Sequence, residues 1–273
     1  GYDMWGRWLL RRVLLLVLIV LLFARCSESR SVENPFPFIA SSYLVKIDGR
    51  IVWAGDPHRR LPPASLTKIM TALIALERTR PNDVVRVSRM AAKEDGSRIG
   101  LREGDRLRAV DLVYATLIHS ANDACRALAE HIAGSEASFV RLMNLKARRM
   151  GLKDTHFANS CGHDEAGHYS TAYDLAILAE VAMRNPVFAR IVSTPSMVIR
   201  TVDGKRHFRL INKNKLIGRY PGVIGVKTGF TDRAGKCLIA LAERGGRKVL
   251  LVLLNAPNRW EDAQFILDMA FDF

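Results

Sequence analysis

Three apolar runs near the end of the chain constrain the fold most: GVIGVKTGF at 222–230, KCLIALAER at 236–244 and RKVLLVLLNA at 247–256. Each is short, continuously apolar and bounded by turn residues, as strands covered on both faces are. Gly245-Gly246 joins the last two runs and predicts a tight antiparallel hairpin. A second hairpin is predicted near the start, where IASSYLVKIDGRIVWAG (39–55) turns at Asp48-Gly49. SMVIRTV (196–202) reads as one more extended run. Between these blocks the pattern is helical. The spacing predicts helices over 65–79, over 109–134 with a break near Ser120, over 135–151 with Ser135 as cap and Gly151 as stop, and over 170–185 with Ser170 and Asp174 in the first turn. Residues 84–108 read as loop-rich, with turns at Asp95-Gly96 and Gly104-Asp105, and a last amphipathic helix covers about 258–271. The order predicts an α/β (α+β) domain. An antiparallel sheet of about five strands is flanked by helices, and a mostly helical part (about 65–189) is inserted between two sheet parts (about 38–64 and 190–273).

Residues 1–26 precede that domain. Arg7, Arg11 and Arg12 lead into the apolar run VLLLVLIVLLFA at 13–24. A spanning helix needs about 20 apolar residues. This shorter run after a positive segment predicts a secretory signal peptide or an N-terminal membrane anchor. The polar, proline-broken stretch 27–37 reads as a linker. The protein is then expected to be secreted or extracytoplasmic, in the cell envelope, with any membrane tether at the N-terminus. The net charge of +14 favours anionic partners. The basic residues are scattered and not interleaved with aromatics, so nucleic-acid binding is not expected. Cys26, Cys125, Cys161 and Cys237 show no CxxC or zinc spacing and read as small buried thiols; one disulfide among them is compatible with an oxidising compartment.

Chemistry enters at PPASLTKIM (62–70). Two prolines cannot sit inside a helix, so they place its start near Ser65, and Lys68 follows on the same helical face. A serine hydroxyl becomes a nucleophile only when a base takes its proton. A lysine kept neutral by burial and by a helix N-terminus is such a base. Two further stretches stand at telling places. Ser120-Ala121-Asn122 falls at the break between helical runs, and Lys227-Thr228-Gly229 lies in a strand-like run.

Ser-x-x-Lys, Ser-x-Asn and Lys-Thr-Gly, in this order, are the motif set of serine penicillin-binding proteins and β-lactamases. The chain resembles the D-alanyl-D-alanine carboxypeptidases of that superfamily. PASLTKIMTALIALE, GSRIGL, HSANDA, THFANS, GHYSTAYDLA and GVKTGFTDRAGKCL all look like stretches of this family, from about residue 38 to the chain end. The resemblance implies a β-lactamase/DD-peptidase-like fold, with 38–273 as the penicillin-binding catalytic domain. It implies removal of the terminal D-alanine from peptidoglycan pentapeptide stems through an acyl-serine intermediate, with β-lactams as covalent inhibitors. Ser65 is then the nucleophile and Lys68 the proton acceptor. Ser120 relays a proton, and Asn122 holds both the substrate amide and Lys68. Lys227 and Thr228 meet the substrate carboxylate, and Gly229 makes room for the substrate backbone. The backbone N–H of Ser65 and of Phe230 forms the oxyanion hole, and Arg259 helps bind the carboxylate. No cofactor is implied.

Two other readings use the same motifs. A β-lactamase of class A carries a Glu-x-x-Leu-Asn stretch, which this sequence lacks. A non-catalytic β-lactam sensor or wall-binding module would follow a multi-pass membrane region or lose a motif residue; neither pattern is seen. HDEAGH (163–168) places two histidines around two acids, but without HExxH or a comparable zinc pattern it reads as a loop, and no metal is expected. Here Cys161-Gly162-His163 stands where the family pattern has glycine followed by leucine.

Overall fold

The computed structural model describes residues 32–273, together with Val13. The expected signal or anchor (1–26), apart from Val13, and the first part of the linker (27–31) lie outside the described residues. Among those described, no helix is long and apolar enough to cross a membrane.

The chain opens with the hairpin β1 (Ser42–Ile47) and β2 (Arg50–Gly55), turning at Asp48-Gly49. A 3-10 turn (Ala64–Thr67) then leads into α1 (Lys68–Arg78). After β3 (Val84–Arg86), α2 (Arg89–Ala92) and β4 (Arg106–Arg108) come α3 (Ala109–Ile118), α4 (Asn122–Ala133), α5 (Glu136–Arg149), α6 (Ala172–Met183) and α7 (Pro186–Val192). The strands β5 (Ser196–Arg200), β6 (His207–Ile211), β7 (Val223–Thr231), β8 (Gly235–Arg244) and β9 (Arg247–Leu254) follow, and α8 (Arg259–Phe271) closes the chain.

The five-stranded sheet has the order β2-β1-β9-β8-β7 and is antiparallel throughout, so the first hairpin pairs with the last strand of the chain. Its continuous apolar runs have a plain cause. Side chains alternate between faces along a strand, and both faces are covered. Leu250, Val252 and Leu254 face the helical core with Leu44, Ile239 and Leu241. Leu251 and Leu253 face the other way, with Tyr43, Val45, Leu238 and Ala240, under Ala263, Ile266, Leu267 and Ala270 of α8. Full burial of each large aliphatic side chain is worth about 1.5–3 kcal/mol, so a polar residue at 250–254 would be costly on either face.

α1 runs through the helical half and packs on α3, α4 and α6. It starts three residues later than the sequence pattern predicts, because residues 64–67 close as a 3-10 turn before the α-helical bonds begin. The predicted break at Ser120 is the junction between α3 and α4, where Ser120 takes φ +57. Gly134, at φ +82, ends α4 as a left-handed cap. At α6 the cap is Thr171, whose side chain accepts from the Asp174 N–H; the sequence pattern had pointed to Ser170. α7 and the small pairs β3–β4 and β5–β6 were not resolved as elements in the sequence, apart from the run 196–202.

Candidate active site

Pro62 and Pro63 end the incoming loop, and Ala64 is forced to φ +50 before the turn that carries Ser65. That conformation is strained for a side-chain-bearing residue. It is held by Gly162: a Cβ there would lie 2.0 Å from the Ala64 carbonyl oxygen and 2.9 Å from the Ser65 nitrogen. Gly229 of β7 presses from the other side, where a Cβ would lie 3.0 Å from the Ser65 nitrogen. Its missing side chain therefore makes room for the Ser65 turn itself, where the sequence reading had assigned that room to a substrate backbone.

Lys68 is fully buried at the first position of α1. Its Nζ donates to Ser65 Oγ at 2.7 Å and to the Cys161 carbonyl at 2.7 Å. Burial lowers its pKa, and the nearby Cys125, Cys161 and Glu94 oppose that shift. Ser65 itself stays partly exposed. A half-open hydroxyl beside a buried amine that resists charging is the arrangement nucleophilic attack needs.

The other two motifs come to the same place. Lys227, on edge strand β7 and 2% exposed, donates through Nζ to Ser120 Oγ at 3.0 Å and to the Thr228 carbonyl at 2.8 Å. Burial pushes its pKa well down, with Lys68, Lys213 and Arg259 adding to the effect. Asn122 differs from expectation. Its Nδ2 donates to the Asp95 carbonyl at 2.6 Å, and the acceptor that holds Lys68, besides Ser65, is the Cys161 carbonyl. The next residue, Asp123, fixes the neighbouring loop by accepting N–H groups of Ile99, Gly100 and Leu101 at 2.9–3.2 Å. Phe230 lies near the end of β7 with its ring mostly in solvent. Arg259 sits behind the same strand, donating from Nη1 to the carbonyls of Gly229 (2.9 Å) and Cys237 (3.1 Å), while its buried Nε has no partner. It stacks over Trp260 with 4.8 Å to the ring centroid.

Sequence reasoning missed three contributors. The Cys161 carbonyl carries no side-chain signal. Lys213 donates from its backbone N–H to Ile118 and from Nζ to Ser97 Oγ at 2.5 Å, bridging toward the loop held by Asp123. With His119, Asn212, Arg259 and Trp260 it lines a basic cavity of about 760 Å³. His168 is the third. Buried behind the nucleophile turn, it contacts Thr67 Oγ1 at 2.8 Å and accepts the Ala158 N–H at 2.8 Å through Nδ1. The two histidines of HDEAGH thus go to different partners, since His163 pairs with Glu94 at 2.8 Å. Cys125, Cys161 and Cys237 are free and buried, so no disulfide joins them.

Burial lowers the His168 pKa from 6.5 to about 4. The unfolded chain therefore binds an extra proton between those values, and stability present above about pH 6.5 is lost as pH falls toward 4. The shift corresponds to roughly 3 kcal/mol. Urea midpoints measured across this window should fall steeply, and His168→Gln should flatten the slope. An unchanged slope would assign the acid sensitivity to other groups.

Comparison with known proteins agrees with the geometry. The family model described as D-alanyl-D-alanine carboxypeptidase (peptidase S11) matches residues 31–258. The D-alanyl-D-alanine carboxypeptidase DacF of Bacillus subtilis is 38% identical over 271 residues, covering 96% of this chain and 69% of the relative. DacB2 of Mycobacterium tuberculosis is 33% identical over 231 residues, covering 82% and 78%. Among solved structures, the Streptomyces K15 DD-transpeptidase superposes with a TM-score of 0.82 at 29% identity, over 89% of this chain and 100% of that one. The expected DD-peptidase-like fold is therefore found, and the chain belongs to the serine-type D-alanyl-D-alanine carboxypeptidases, hydrolases that act on peptidoglycan peptides outside the cytoplasm.

Proposed function

We propose that this chain removes the terminal D-alanine from pentapeptide stems, and that Ser65 carries the acyl group. The observation that supports this most directly is the pair of short contacts in one cleft, Lys68 Nζ to Ser65 Oγ at 2.7 Å and Lys227 Nζ to Ser120 Oγ at 3.0 Å. In this reading Lys68, neutral in its buried setting, takes the Ser65 proton as Oγ attacks the penultimate carbonyl. The backbone N–H groups of Ser65 and Phe230 receive the oxyanion. Ser120 passes a proton to the departing amine, and Asn122 holds the substrate amide. Water then releases the shortened stem.

The substrate's free carboxylate meets Thr228, Lys227 and Arg259. An arriving anion restores the charge on Lys227, and that charge in turn disfavours an ammonium at Lys68. Substrate binding and base activation are coupled through this pair. The strand edge of β7 offers backbone groups to an extended peptide. β-Lactams enter by the same route and acylate Ser65. A positive, apolar segment at residues 1–26 fits export, as a signal peptide or as a tether to the membrane.

The test is mass spectrometry of the protein incubated with a penicillin and, separately, with a peptide ending in D-Ala-D-Ala. The expected result is free D-alanine from the peptide and a long-lived adduct on Ser65 from the drug. Rapid drug turnover would point to a β-lactamase, and an adduct without peptide turnover to a sensor.

A further inference from the structure

Just behind the catalytic lysine lies a second cluster with different chemistry. The ligand atoms of Glu94, Cys161 and His163 all lie within 4.8 Å of one another. We propose that these three side chains bind a soft divalent cation, Zn²⁺ foremost, which pins the loop after α2 to the loop that supplies the Lys68 acceptor.

The donor set is the first reason. One thiol sulfur, one imidazole nitrogen and one carboxylate oxygen are zinc ligands, whereas Mg²⁺ and Ca²⁺ take oxygen. Zinc bonds of about 2.0–2.3 Å put tetrahedral ligand atoms roughly 3.3–3.8 Å apart. His163 Nε2 and Glu94 Oε2, 2.8 Å apart, need to open by roughly 0.5 Å to admit the ion, and the sulfur, within 4.8 Å of both, has at most about 1 Å to travel. The Cys161 thiol is held by two long contacts, to Ser160 Oγ at 3.4 Å and to the Asn122 carbonyl at 3.6 Å. On ligation its S–H bond breaks, the proton leaves to solvent and the sulfur bonds the metal as thiolate. The side chain of His163 is 38% exposed, which gives the ion an entry path and leaves the fourth position to water.

Charge is the second, independent reason. Arg126 is surrounded by Glu94 at 3.1 Å, Glu130 at 2.7 Å and Glu136 at 2.5 Å. Three carboxylates around one guanidinium leave an excess of two negative charges in a half-buried place. Glu136 Oε2, though close to Arg126, receives no well-aligned hydrogen bond and is shielded from solvent. A dication that replaces the contact between Glu94 Oε2 and His163 Nε2, with any proton shared there leaving to solvent, offsets that excess, and Arg126 orients the same carboxylate through Oε1, as outer partners of metal ligands do.

The experiment uses the full chain with Cys26→Ser, reduced, titrated with Co²⁺ and then competed with Zn²⁺. The expected result is one equivalent bound, a thiolate-to-cobalt charge-transfer band, displacement by Zn²⁺ and a raised melting temperature in zinc. Cys161→Ser should remove the band. His163→Gln and Glu94→Gln should weaken binding by at least ~100-fold, with cooperative unfolding retained. Cys237→Ser, a buried thiol elsewhere, should bind as wild type does. A band that survives Cys161→Ser, or one that vanishes in Cys237→Ser, would overturn the assignment, as would no binding at millimolar metal.

Discussion

Ser65→Ala is expected to slow D-alanine release by roughly 10⁴- to 10⁶-fold and to leave no covalent penicillin adduct. The loss is large because nothing nearby can replace the oxygen. Ser120, a second hydroxyl in the cleft, is 4% exposed, held by Lys227 and itself fixed at φ +57 in the helix junction, so it cannot swing to the attacked carbonyl. The substitution removes one atom from a partly exposed side chain, and Lys68 keeps the Cys161 carbonyl at 2.7 Å, so the thermal transition should stay close to that of the parent. Binding of the drug without acylation, read by equilibrium methods, should persist. Release at an undiminished rate, or an adduct mapped to another residue, would refute Ser65 as the acyl carrier.

The site was legible in the sequence where side chains do the work. Ser65 and Lys68 share a helical face, and the prolines before them mark the start of that face. Lys227 falls in an apolar run that reads as a strand. What the sequence hid was backbone. The carbonyl that holds Lys68 belongs to Cys161, 93 residues away, and every residue type has such an oxygen. Asn122 carried the expectation of touching Lys68, yet the loop at Asp95 folds close enough to take its amide first. Gly162 and Gly229 announce tight packing, but only the three-dimensional arrangement shows that both glycines close on the Ser65 turn. The fold followed the same division. Double-faced burial of 250–254 and the break at Ser120 were readable from apolar pattern and turn chemistry. The α7 helix was not, because Pro186 reads equally as the end of the preceding helix and as the first residue of a new one.

Lys68→Met is expected to lower the rate of acylation by roughly 10²- to 10⁴-fold, the span over which a positioned general base contributes. It should also remove the acid limb of the pH–rate profile. In the parent protein the reactive form is the neutral amine, so acylation rises with pH through the Lys68 pKa and levels above it. Burial places that inflection below the ordinary lysine value. The same burial makes a prediction about stability with the opposite sign. Unfolded, residue 68 is protonated up to its ordinary pKa of about 10.4. Folded, it gives up the proton earlier, so between the two values the unfolded chain binds more protons and folding pays for the difference. That penalty is absent at pH above the unfolded value and grows as pH falls toward the folded one. Methionine has nothing to deprotonate. Melting temperatures of the variant, relative to the parent, should therefore improve steadily from alkaline to neutral pH, even though the Cys161 carbonyl loses its donor at every pH. A difference that stays constant across that range would mean that Lys68 is charged when folded. It would then need another group to accept the Ser65 proton.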